Sequence, residues 1–471
     1  MDAAQYLAHD AVGLAGLIAA RQVSASEVIQ AALARLKAVN PKLNAVTLDL
    51  GERALDEVRA GAPAGPLGGV PFLLKDLGAQ LAGTSTTAGS RLLGDPPAAA
   101  DSALVAAYKQ AGLVIIGKTN TPELGLEPVT EPARFGPSRN PWDLERTPGG
   151  SSGGSSAAVA GGIVPAAHAS DGGGSIRIPA ACTGLFGLKP SRGRVSFAPA
   201  DEGWGGFSIH HALTWSVRDS AALLDAVCAP RAGDPYWRDP PSAPFATEVG
   251  REPGPLRIAF TTAALAAPAI EPECAEAVRA AATLCQSLGH EVEEVDLPFD
   301  YAPIGEAGGT VIAASVAAAL DAEAERRGRP IGHGEIEDVT LAMYERGKRI
   351  GGSQYVRALQ ACHAFGRTMA EVFLGIDVLV MSTLGSPAIP LGWLRGGGLE
   401  SYAQRLFAFM PNTQAFNITG QPAMSVPLAM SAGGLPIGVQ FIARTGEEAV
   451  LFRLAGQLER AAPWAGRRPR P

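Results

Sequence analysis

The stretch PGGSSGGSSAAVAGGIVPAAHASDGGGSIRIP, residues 148–179, is the most unusual part of the sequence. Two Gly/Ser-rich runs, at 148–156 and 170–175, flank an uncharged apolar segment at 157–167. Flexible linkers share this composition, but they do not normally enclose core-like sequence. A glycine-rich turn before a helix can bind phosphate, but the stretch contains neither a P-loop nor a dinucleotide-binding pattern.

A third interpretation of this stretch is acyl transfer. Three glycines, Gly172 to Gly174, are followed directly by Ser175. Glycine allows a backbone to approach a reacting carbonyl closely and lets its N–H groups converge on the developing oxyanion. Such donors beside a hydroxyl are the arrangement that acyl transfer needs, and Ser175 would then require a base.

The base is not obvious from local sequence. None of the seven histidines lies in a motif that ties it to a serine, so each is interpreted as structural or solvated: His9, His168, His210, His211, His290, His333 and His363. A lysine can replace histidine if burial lowers its pKa. Lys75 follows four apolar residues at a predicted strand end, although local sequence alone favours an exposed lysine paired with Asp76.

Outward from this segment, apolar runs and amphipathic stretches alternate along the chain, which favours an α/β fold with a large, mostly buried sheet. A capping-box pattern, Ser24 and Glu27, begins the first strong helix, and Asn40-Pro41 is predicted to end it. The predicted helices are 24–39, 101–111, 272–288 and 447–460, and the predicted strands are 70–74, 113–116, 256–260, 291–295 and 377–381.

Composition excludes several classes of protein. The chain has 471 residues, 46% of them hydrophobic, and a net charge of −7. No broad basic patch is implied, so we expect no nucleic-acid partner, and the basic tail at 467–470 is interpreted as a solvated end. The five cysteines form no Cys-x-x-Cys pair, and no histidine motif suggests zinc, so we expect reduced thiols and no metal.

No targeting or membrane segment is predicted. The N-terminus lacks a basic region of the signal-peptide type, and no run of about 18 apolar residues is present. We therefore expect a cytoplasmic protein without a membrane span.

Several motifs, in order and spacing, resemble those of the amidase signature family. They are GVPFLLKD (69–76), GKTNTPE (117–123), GPSRNPW (136–142), the two segments at 148–156 and 171–179, GLFGLKP (184–190), FNITGQPAMSVP (416–427) and GLPIGVQ (434–440). The resemblance spans roughly residues 10–465. It implies a single α/β domain over 1–471, with a large twisted mixed sheet covered by helices on both sides. The signature core would lie at about 65–200, and the Pro-rich segment 230–255 would be a surface loop or insertion.

The resemblance also implies a catalytic machinery. The family uses a Ser-cisSer-Lys triad, which corresponds here to Lys75 as general base, Ser151 as bridging serine after a cis peptide, and Ser175 as nucleophile. The backbone N–H groups of Gly172, Gly173, Gly174 and Ser175 would form the oxyanion hole. Asp171 and Arg177 would be a supporting ion pair. No cofactor and no metal are implied.

One position departs from the family pattern. The family commonly has Thr-Asp-Thr or Thr-Asp-Ile before the Gly-Gly-Ser segment, whereas this chain has Ser170-Asp171-Gly172. The missing side chain at Gly172 would leave space for a bulkier acyl or alcohol group near Ser175, or it would make the loop more flexible. The sequence leaves both alternatives open.

The substrate is harder to predict from the sequence than the type of reaction. Leu124, Leu126, Pro128 and Val129 would form an apolar wall, with Gly125 and Thr130 as further candidate substrate-binding residues. The segment LFAFM (406–410) would either cover the pocket or pack in the core. Because no charged motif awaits a substrate, we expect a small apolar amide, anilide or carbamate, with esters as an additional possibility.

Within the family, the motifs look most like those of bacterial aryl acylamidases and hydrolases of the cyclic dimer of 6-aminohexanoate. We expect a monomer or homodimer. The alternative function is the A subunit of a glutamine-dependent aminoacyl-tRNA amidotransferase, which would need glutamine and a second protein as partner. A non-enzymatic scaffold is disfavoured, because Lys75, Ser151 and Ser175 are all present.

Overall fold

The computed structural model describes residues 1–61, 63–332 and 334–469, so His333 and Arg470 of the sequence analysis lie outside the described residues. Eleven strands of this part form one mixed sheet in the order β1-β3-β2-β4-β6-β5-β10-β11-β9-β7-β8. In chain order the strands β1 to β11 are Val46–Asp49, Pro71–Lys75, Val114–Thr119, Ala166–Asp171, Phe186–Lys189, Ile209–Thr214, Arg257–Phe260, Glu291–Glu294, Val378–Ser382, Ala423–Met430 and Pro436–Ala443.

The α-helices of the described residues surround this sheet. In chain order α1 to α16 are Ala3–Leu7, Ala11–Ala19, Ala25–Leu43, Gly51–Ala60, Ala103–Gln110, Gly153–Ala160, Arg177–Thr183, Val217–Val227, Phe245–Glu248, Pro272–Ser287, Ala302–Arg327, Asp338–Lys348, Gly352–Gly375, Gly398–Phe409, Ala415–Thr419 and Glu448–Ala461. A short 3-10 helix lies at Glu123–Gly125.

The middle of the sheet is covered on both faces. Strands β2, β3, β4 and β6 are buried at every position. Because successive side chains of a strand point to opposite faces, an unbroken buried run requires packing on both sides. β2 pairs in parallel with β3 and β4, whereas β4–β6, β5–β6 and β5–β10 are antiparallel. The α/β fold with one large mixed sheet is confirmed.

The predicted helices and strands are all present, but one helix end was predicted wrongly. α3 begins at Ser24, whose hydroxyl accepts a hydrogen bond from the Glu27 amide at 3.2 Å, while the Glu27 carboxylate accepts one from the Ser24 amide at 2.8 Å. It continues through Pro41 to Leu43 instead of ending at Asn40. Proline there removes a hydrogen bond only in the last turn, and the helix ends at Asn44 in the left-handed conformation, with φ 47°.

Helix α11 is a candidate membrane span by length and composition, whereas the sequence analysis predicted no such segment. Its 26 residues are long and apolar enough, by length and composition, to cross a membrane. Half of its most apolar window is buried, and it packs against α12 and α13. The core helix of a soluble protein meets the same criterion, so the test by itself does not assign α11 to a membrane.

The Pro-rich segment at 230–255 contains one short helix, α9. The Phe245 ring of α9 lies 5.5 Å from that of Phe452 in α16, measured between centroids. The Asp225 carboxylate accepts hydrogen bonds from the backbone N–H groups of Phe245 and Ala246, at 2.7 and 2.9 Å. These contacts attach α9 to α8 and α16.

Two glycine-to-alanine substitutions should change stability in opposite directions. A Cβ at Gly347 of α12 would lie 2.1 Å from the Ala313 carbonyl oxygen of α11, whereas a Cβ at Gly366 of α13 meets nothing within 4 Å. We expect Gly347→Ala to lower the free energy of unfolding by about 1–3 kcal/mol, because α11 and α12 must separate. Gly366→Ala should raise it by about 0.5–1 kcal/mol. Urea unfolding of both variants measures this, and equal shifts would contradict the close approach of α11 and α12.

Candidate active site

Lys75 ends strand β2 inside the protein. Its side chain is 0% exposed, and its Nζ lies 2.7 Å from Ser151 Oγ and 3.0 Å from Ser170 Oγ. The alternative of an exposed lysine that closes a strand is therefore wrong. Asp76 does not pair with it: the Asp76 carboxylate lies 3.5 Å from Lys118 Nζ and accepts a hydrogen bond from Thr87 Oγ1 at 2.5 Å.

The surroundings of Lys75 favour a neutral amine. Burial lowers the pKa of Lys75 from 10.5 to about 7, although the nearby Asp171 carboxylate opposes this shift. Desolvation penalises the charged ammonium, and the two hydroxyls that contact Nζ replace only part of its hydration. A substantial fraction of Lys75 is therefore unprotonated at neutral pH.

Two histidines lie next to Lys75 in the core. The backbone N–H of Lys75 donates to His168 Nδ1 at 3.2 Å, and His168 Nε2 lies 3.1 Å from His210 Nδ1. Burial lowers the pKa of His168 well below its ordinary value and lowers that of His210 to about 3. Because His168 Nδ1 accepts a hydrogen bond, its Nε2 carries the proton. These histidines are buried, neutral structural groups, and they add no positive charge beside Lys75.

The Gly150–Ser151 peptide bond is cis. A Cβ at Gly150 would lie 2.5 Å from the backbone N and O atoms of Val129, so only glycine fits there. Thr130 Oγ1 donates to the Gly149 carbonyl at 2.9 Å. Val129 and Thr130 thus support this turn from behind and do not line the cavity described below, although Val129 was predicted in the substrate wall and Thr130 as a substrate-binding residue.

The glycine loop, residues 172–175, offers fewer free backbone N–H donors than the sequence suggested. Ser175 is partly exposed and lines a cavity together with Gly173. The Gly174 N–H donates to Asp171 Oδ1 at 2.7 Å and is therefore already engaged. Within the described residues, the backbone N–H groups of Gly172, Gly173 and Ser175 donate to no backbone acceptor of the surrounding loops.

Asp171 and Arg177 form a fully buried ion pair. Arg177 Nε and Nη2 donate to the two Asp171 carboxylate oxygens at 2.9 and 2.8 Å. Burial raises the pKa of Asp171, but the Arg177 guanidinium outweighs this effect and holds the pKa below its ordinary value. The carboxylate also accepts from the backbone N–H of Ile176 at 3.1 Å. The ion pair therefore fixes the conformation of the loop that carries Ser175.

The same arginine reaches the C-terminal part of the chain. Arg177 Nη1 donates to the Thr413 carbonyl and to Gln440 Oε1, at 2.8 and 2.6 Å, and Nη2 donates to Asn417 Oδ1 at 2.6 Å. Thr413 Oγ1 donates to the Gly173 carbonyl at 2.6 Å. Asn417 and Gln440 lie within the C-terminal motifs noted in the sequence, but no spacing rule there indicated that they contact Arg177.

Ser175 opens onto a cavity of about 630 Å³, a size typical of small-molecule sites. Leu126 and Pro128 of the predicted wall line it, as does the candidate substrate-binding residue Gly125, whereas Leu124 does not. Leu406 and Met410 line it as well, while Phe409 packs in the core, so the segment at 406–410 does both. Phe407 of the same segment lines it too. The further lining residues, which the sequence did not indicate, include Trp204, Leu265, Ala266, Pro268, Tyr301, Ile312, Val339, Met343 and Tyr402.

The space beside Gly172 is filled. A Cβ at Gly172 would lie 2.8 Å from Cε3 and Cζ3 of the Trp204 indole and 2.8 Å from Ser208 Oγ. The missing side chain therefore does not leave room for a larger substrate group at that point. It leaves room for the indole, which forms part of the cavity wall.

Candidate metal ligands are not clustered in the residues that the structure describes. Within residues 1–61, 63–332 and 334–469, no group of three or more His, Cys, Asp or Glu side chains is placed to hold a metal ion. The five cysteines are buried free thiols.

Comparisons with known proteins agree with one another. The sequence model of the Amidase family matches residues 27–452. The chain is 37% identical to 6-aminohexanoate-cyclic-dimer hydrolase of Paenarthrobacter ureafaciens, over 98% of this chain and 96% of that one. A solved structure of a 6-aminohexanoate cyclic dimer hydrolase superposes with a TM-score of 0.92 at 36% identity, covering 98% of this chain and 99% of that one.

Two further solved structures are more distant. A bacterial aryl acylamidase of the amidase signature enzymes superposes with a TM-score of 0.89 at 28% identity, covering 97% of both chains. The glutamyl-tRNA(Gln) amidotransferase A chain of Thermotoga maritima superposes with a TM-score of 0.73 at 27% identity, covering 98% of this chain and 95% of that one.

The buried ion pair should be far more important for stability than an exposed one. Arg177→Met leaves the Asp171 carboxylate buried without its partner, and we expect a loss of about 3–5 kcal/mol in the free energy of unfolding. The matched control is Arg326→Met, which breaks an ion pair to Glu323 whose arginine is 48% exposed. It should change the free energy of unfolding far less, because solvent screens this exposed pair. Equal costs in urea unfolding would contradict the proposed anchoring role of Arg177.

Proposed function

We propose that this chain, which belongs to the amidase signature family and is a hydrolase of amide carbon–nitrogen bonds, cleaves small apolar amides through an acyl-enzyme on Ser175. The observation that carries the proposal is the buried Lys75, with Nζ 2.7 Å from Ser151 Oγ, near an apolar cavity that Ser175 lines. A desolvated amine in contact with a hydroxyl is a suitable general base for serine chemistry.

In the proposed first half-reaction, the neutral Lys75 amine accepts the proton of Ser151, and Ser151 accepts the proton of Ser175. Ser175 Oγ then forms a bond to the substrate carbonyl carbon, and the carbonyl oxygen becomes an oxyanion. The N–H groups of Gly172, Gly173 and Ser175 would stabilise that charge, while the Gly174 N–H holds Asp171.

The collapse of this intermediate breaks the carbon–nitrogen bond. The proton returns from Lys75 through Ser151 to the leaving nitrogen, so that an amine departs and Ser175 remains acylated. Water then attacks the acyl-enzyme with the same base, and the acid is released. No external oxidant, metal or cofactor enters this sequence of steps.

The lining of the cavity supports an apolar substrate. Leu126, Ile178, Ile312, Met343 and Leu406 contribute apolar surface, and Tyr301 and Tyr402 add aromatic rings. Charged side chains line the cavity too, among them Glu306 and Arg346, which pair with each other at 2.7 Å. Because these two charges are already paired, the mainly apolar lining favours hydrophobic amides over glutamine, whose ammonium and carboxylate would need polar partners. We therefore propose amides, anilides or lactams as substrates, with carbamates and esters as further acyl donors.

The amidotransferase alternative has weaker support. Relatives that match across nearly their whole length are named as hydrolases of 6-aminohexanoate cyclic dimer, and the amidotransferase chain superposes less well. We further propose that the enzyme acts in the cytoplasm, where the five free thiols remain reduced. A monomer or homodimer would suffice, because the proposed triad lies in one chain.

Replacement of the proposed nucleophile should abolish turnover. We expect Ser175→Ala to lower kcat by a factor on the order of 10⁶ without unfolding the protein. The matched control is Ser353→Ala, an exposed serine on α13, which should retain full activity. Substrates would be p-nitroacetanilide, an aryl carbamate, a p-nitrophenyl ester, linear and cyclic 6-aminohexanoate dimers, and glutamine.

The substrates that the wild type and Ser175→Ala cleave distinguish a stand-alone amidase from an amidotransferase subunit. Cleavage of anilides or 6-aminohexanoate dimers that is lost in Ser175→Ala supports the stand-alone amidase. Cleavage of glutamine alone would favour the amidotransferase function, and retained amidase turnover in Ser175→Ala would remove Ser175 from the nucleophile role.

The pH dependence should follow the ionisation of Lys75. Because the base must be unprotonated, kcat/KM should rise with pH and level off above the pKa of about 7. At pH 5, two units lower, it should be about 100-fold below the plateau. Assays after return from pH 5 to pH 8 control for irreversible inactivation. A flat profile between pH 5 and pH 8 would contradict Lys75 as the base.

A further inference from the structure

The Trp204 indole is a fixed part of the cavity wall next to the glycine loop. It has a backbone φ of 54°, in the left-handed region that tryptophan rarely adopts. Its ring lies against Gly172, where no side chain larger than hydrogen fits without a shift of the indole or of Ser208. The indole is thus held where a side chain at position 172 would otherwise lie.

The loop that carries Trp204 is anchored from three sides. The Arg192 guanidinium donates to the Gly206 carbonyl at 2.6 Å and to the Asn417 and Ile418 carbonyls at 2.9 and 2.7 Å. Asn417 Nδ2 donates to the Phe207 carbonyl at 3.0 Å. A Cβ at Gly205 would lie 2.8 Å from Val311 Cγ1 of α11. A wall built on such a loop cannot move away from a bulky substrate without breaking buried contacts.

The side of the substrate that meets Trp204 follows from the proposed mechanism. Ser151 must return a proton to the leaving nitrogen, so the leaving group lies towards Ser151 and the adjacent Gly125, whose Cβ would be 3.2 Å from Ser151 Oγ. The acyl group extends from the opposite side of the carbonyl carbon. Trp204 lines the same cavity as Ser175 and is therefore available to contact the acyl group.

We propose that Trp204, seated on Gly172, is a specificity-determining residue that selects acyl groups that are unbranched or flat next to the scissile carbonyl. The inference rests on the proposed function, because it uses Ser175 as the acylated residue. A flat indole face contacts a straight polymethylene chain or an aryl ring along its length, whereas a branch at the first acyl carbon would collide with it. Trp204 is a wall and takes no part in the chemistry.

The test compares two isomeric substrates with one leaving group, the p-nitroanilides of hexanoic acid and 2-ethylbutanoic acid. The wild type should prefer the hexanoyl substrate in kcat/KM. Trp204→Ala should reduce that preference at least about 10-fold, the discrimination that one apolar contact commonly supplies. Trp204→Phe keeps a flat ring and should retain the preference within about threefold.

Gly172→Ala supplies the coupling test. Alone it should push the indole towards the cavity and increase the preference for the unbranched acyl group. In the Trp204→Ala background it should change the preference by less than about twofold, because the ring that lines the cavity is gone and only the contact with Ser208 Oγ remains. Equal effects of Gly172→Ala in both backgrounds would overturn the pairing of these two residues.

The remaining outcomes distinguish this inference from the proposed function. An unchanged preference in Trp204→Ala overturns the role of Trp204, while Ser175→Ala still reports separately on the nucleophile. If Trp204→Ala changes kcat/KM only among substrates that differ in the leaving amine, the assignment of Trp204 to the acyl side is overturned. The same preference can be measured without turnover. The affinity for hexanamide is compared with that for 2-ethylbutanamide, in Ser175→Ala and in the double variant Ser175→Ala/Trp204→Ala.

Discussion

The contact on which the rest of the site depends is the one between the buried Lys75 amine and the Ser151 hydroxyl. A lysine in water is protonated at neutral pH and cannot act as a base. Strand β2 carries Lys75 into a fully buried position, where desolvation lowers its pKa to about 7. Ser151 and Ser170 supply two hydrogen-bond partners for its Nζ, and the adjacent histidines stay neutral. The covered sheet is therefore a requirement for the proposed chemistry as well as for stability.

A second buried charge organises the other half of the site. Arg177 binds Asp171 on one side and Thr413, Asn417 and Gln440 on the other, so it joins the Ser175 loop to residues more than 230 positions later in the chain. The Asp171 carboxylate also accepts a hydrogen bond from the Gly174 N–H, while the neighbouring Gly173 and Ser175 line the cavity. This arrangement holds the glycine loop against helix α15 and strand β11, which carry Asn417 and Gln440. It also explains how Arg192 and Asn417 can fix the wall that contains Trp204.

Much of the fold was predictable, because its signals are local or periodic. The capping pair Ser24 and Glu27 marks a helix start, and the apolar run before Lys75 marks a buried strand. The end of α3 was missed, since a proline in the last turn costs little there. The positions of Lys75, Ser151 and Ser175 came from a family resemblance, as nothing local distinguishes Lys75 from an exposed lysine. The Gly174–Asp171 hydrogen bond, the position of Val129 behind the cavity and the insertion of Trp204 over Gly172 all depend on tertiary contacts that no periodicity encodes.

The central claim is that Lys75 is neutral near physiological pH, and its ionisation can be measured directly. The chain has seven lysines, so protein labelled with ¹³C-lysine should show few Cε resonances. The resonance of Lys75 is identified by its absence in Lys75→Met and followed across pH. The account predicts a titration midpoint near 7, well below the value of about 10.4 for an exposed lysine. A midpoint near 10 would mean that Lys75 is an ammonium at neutral pH, and the proposed base catalysis would be contradicted.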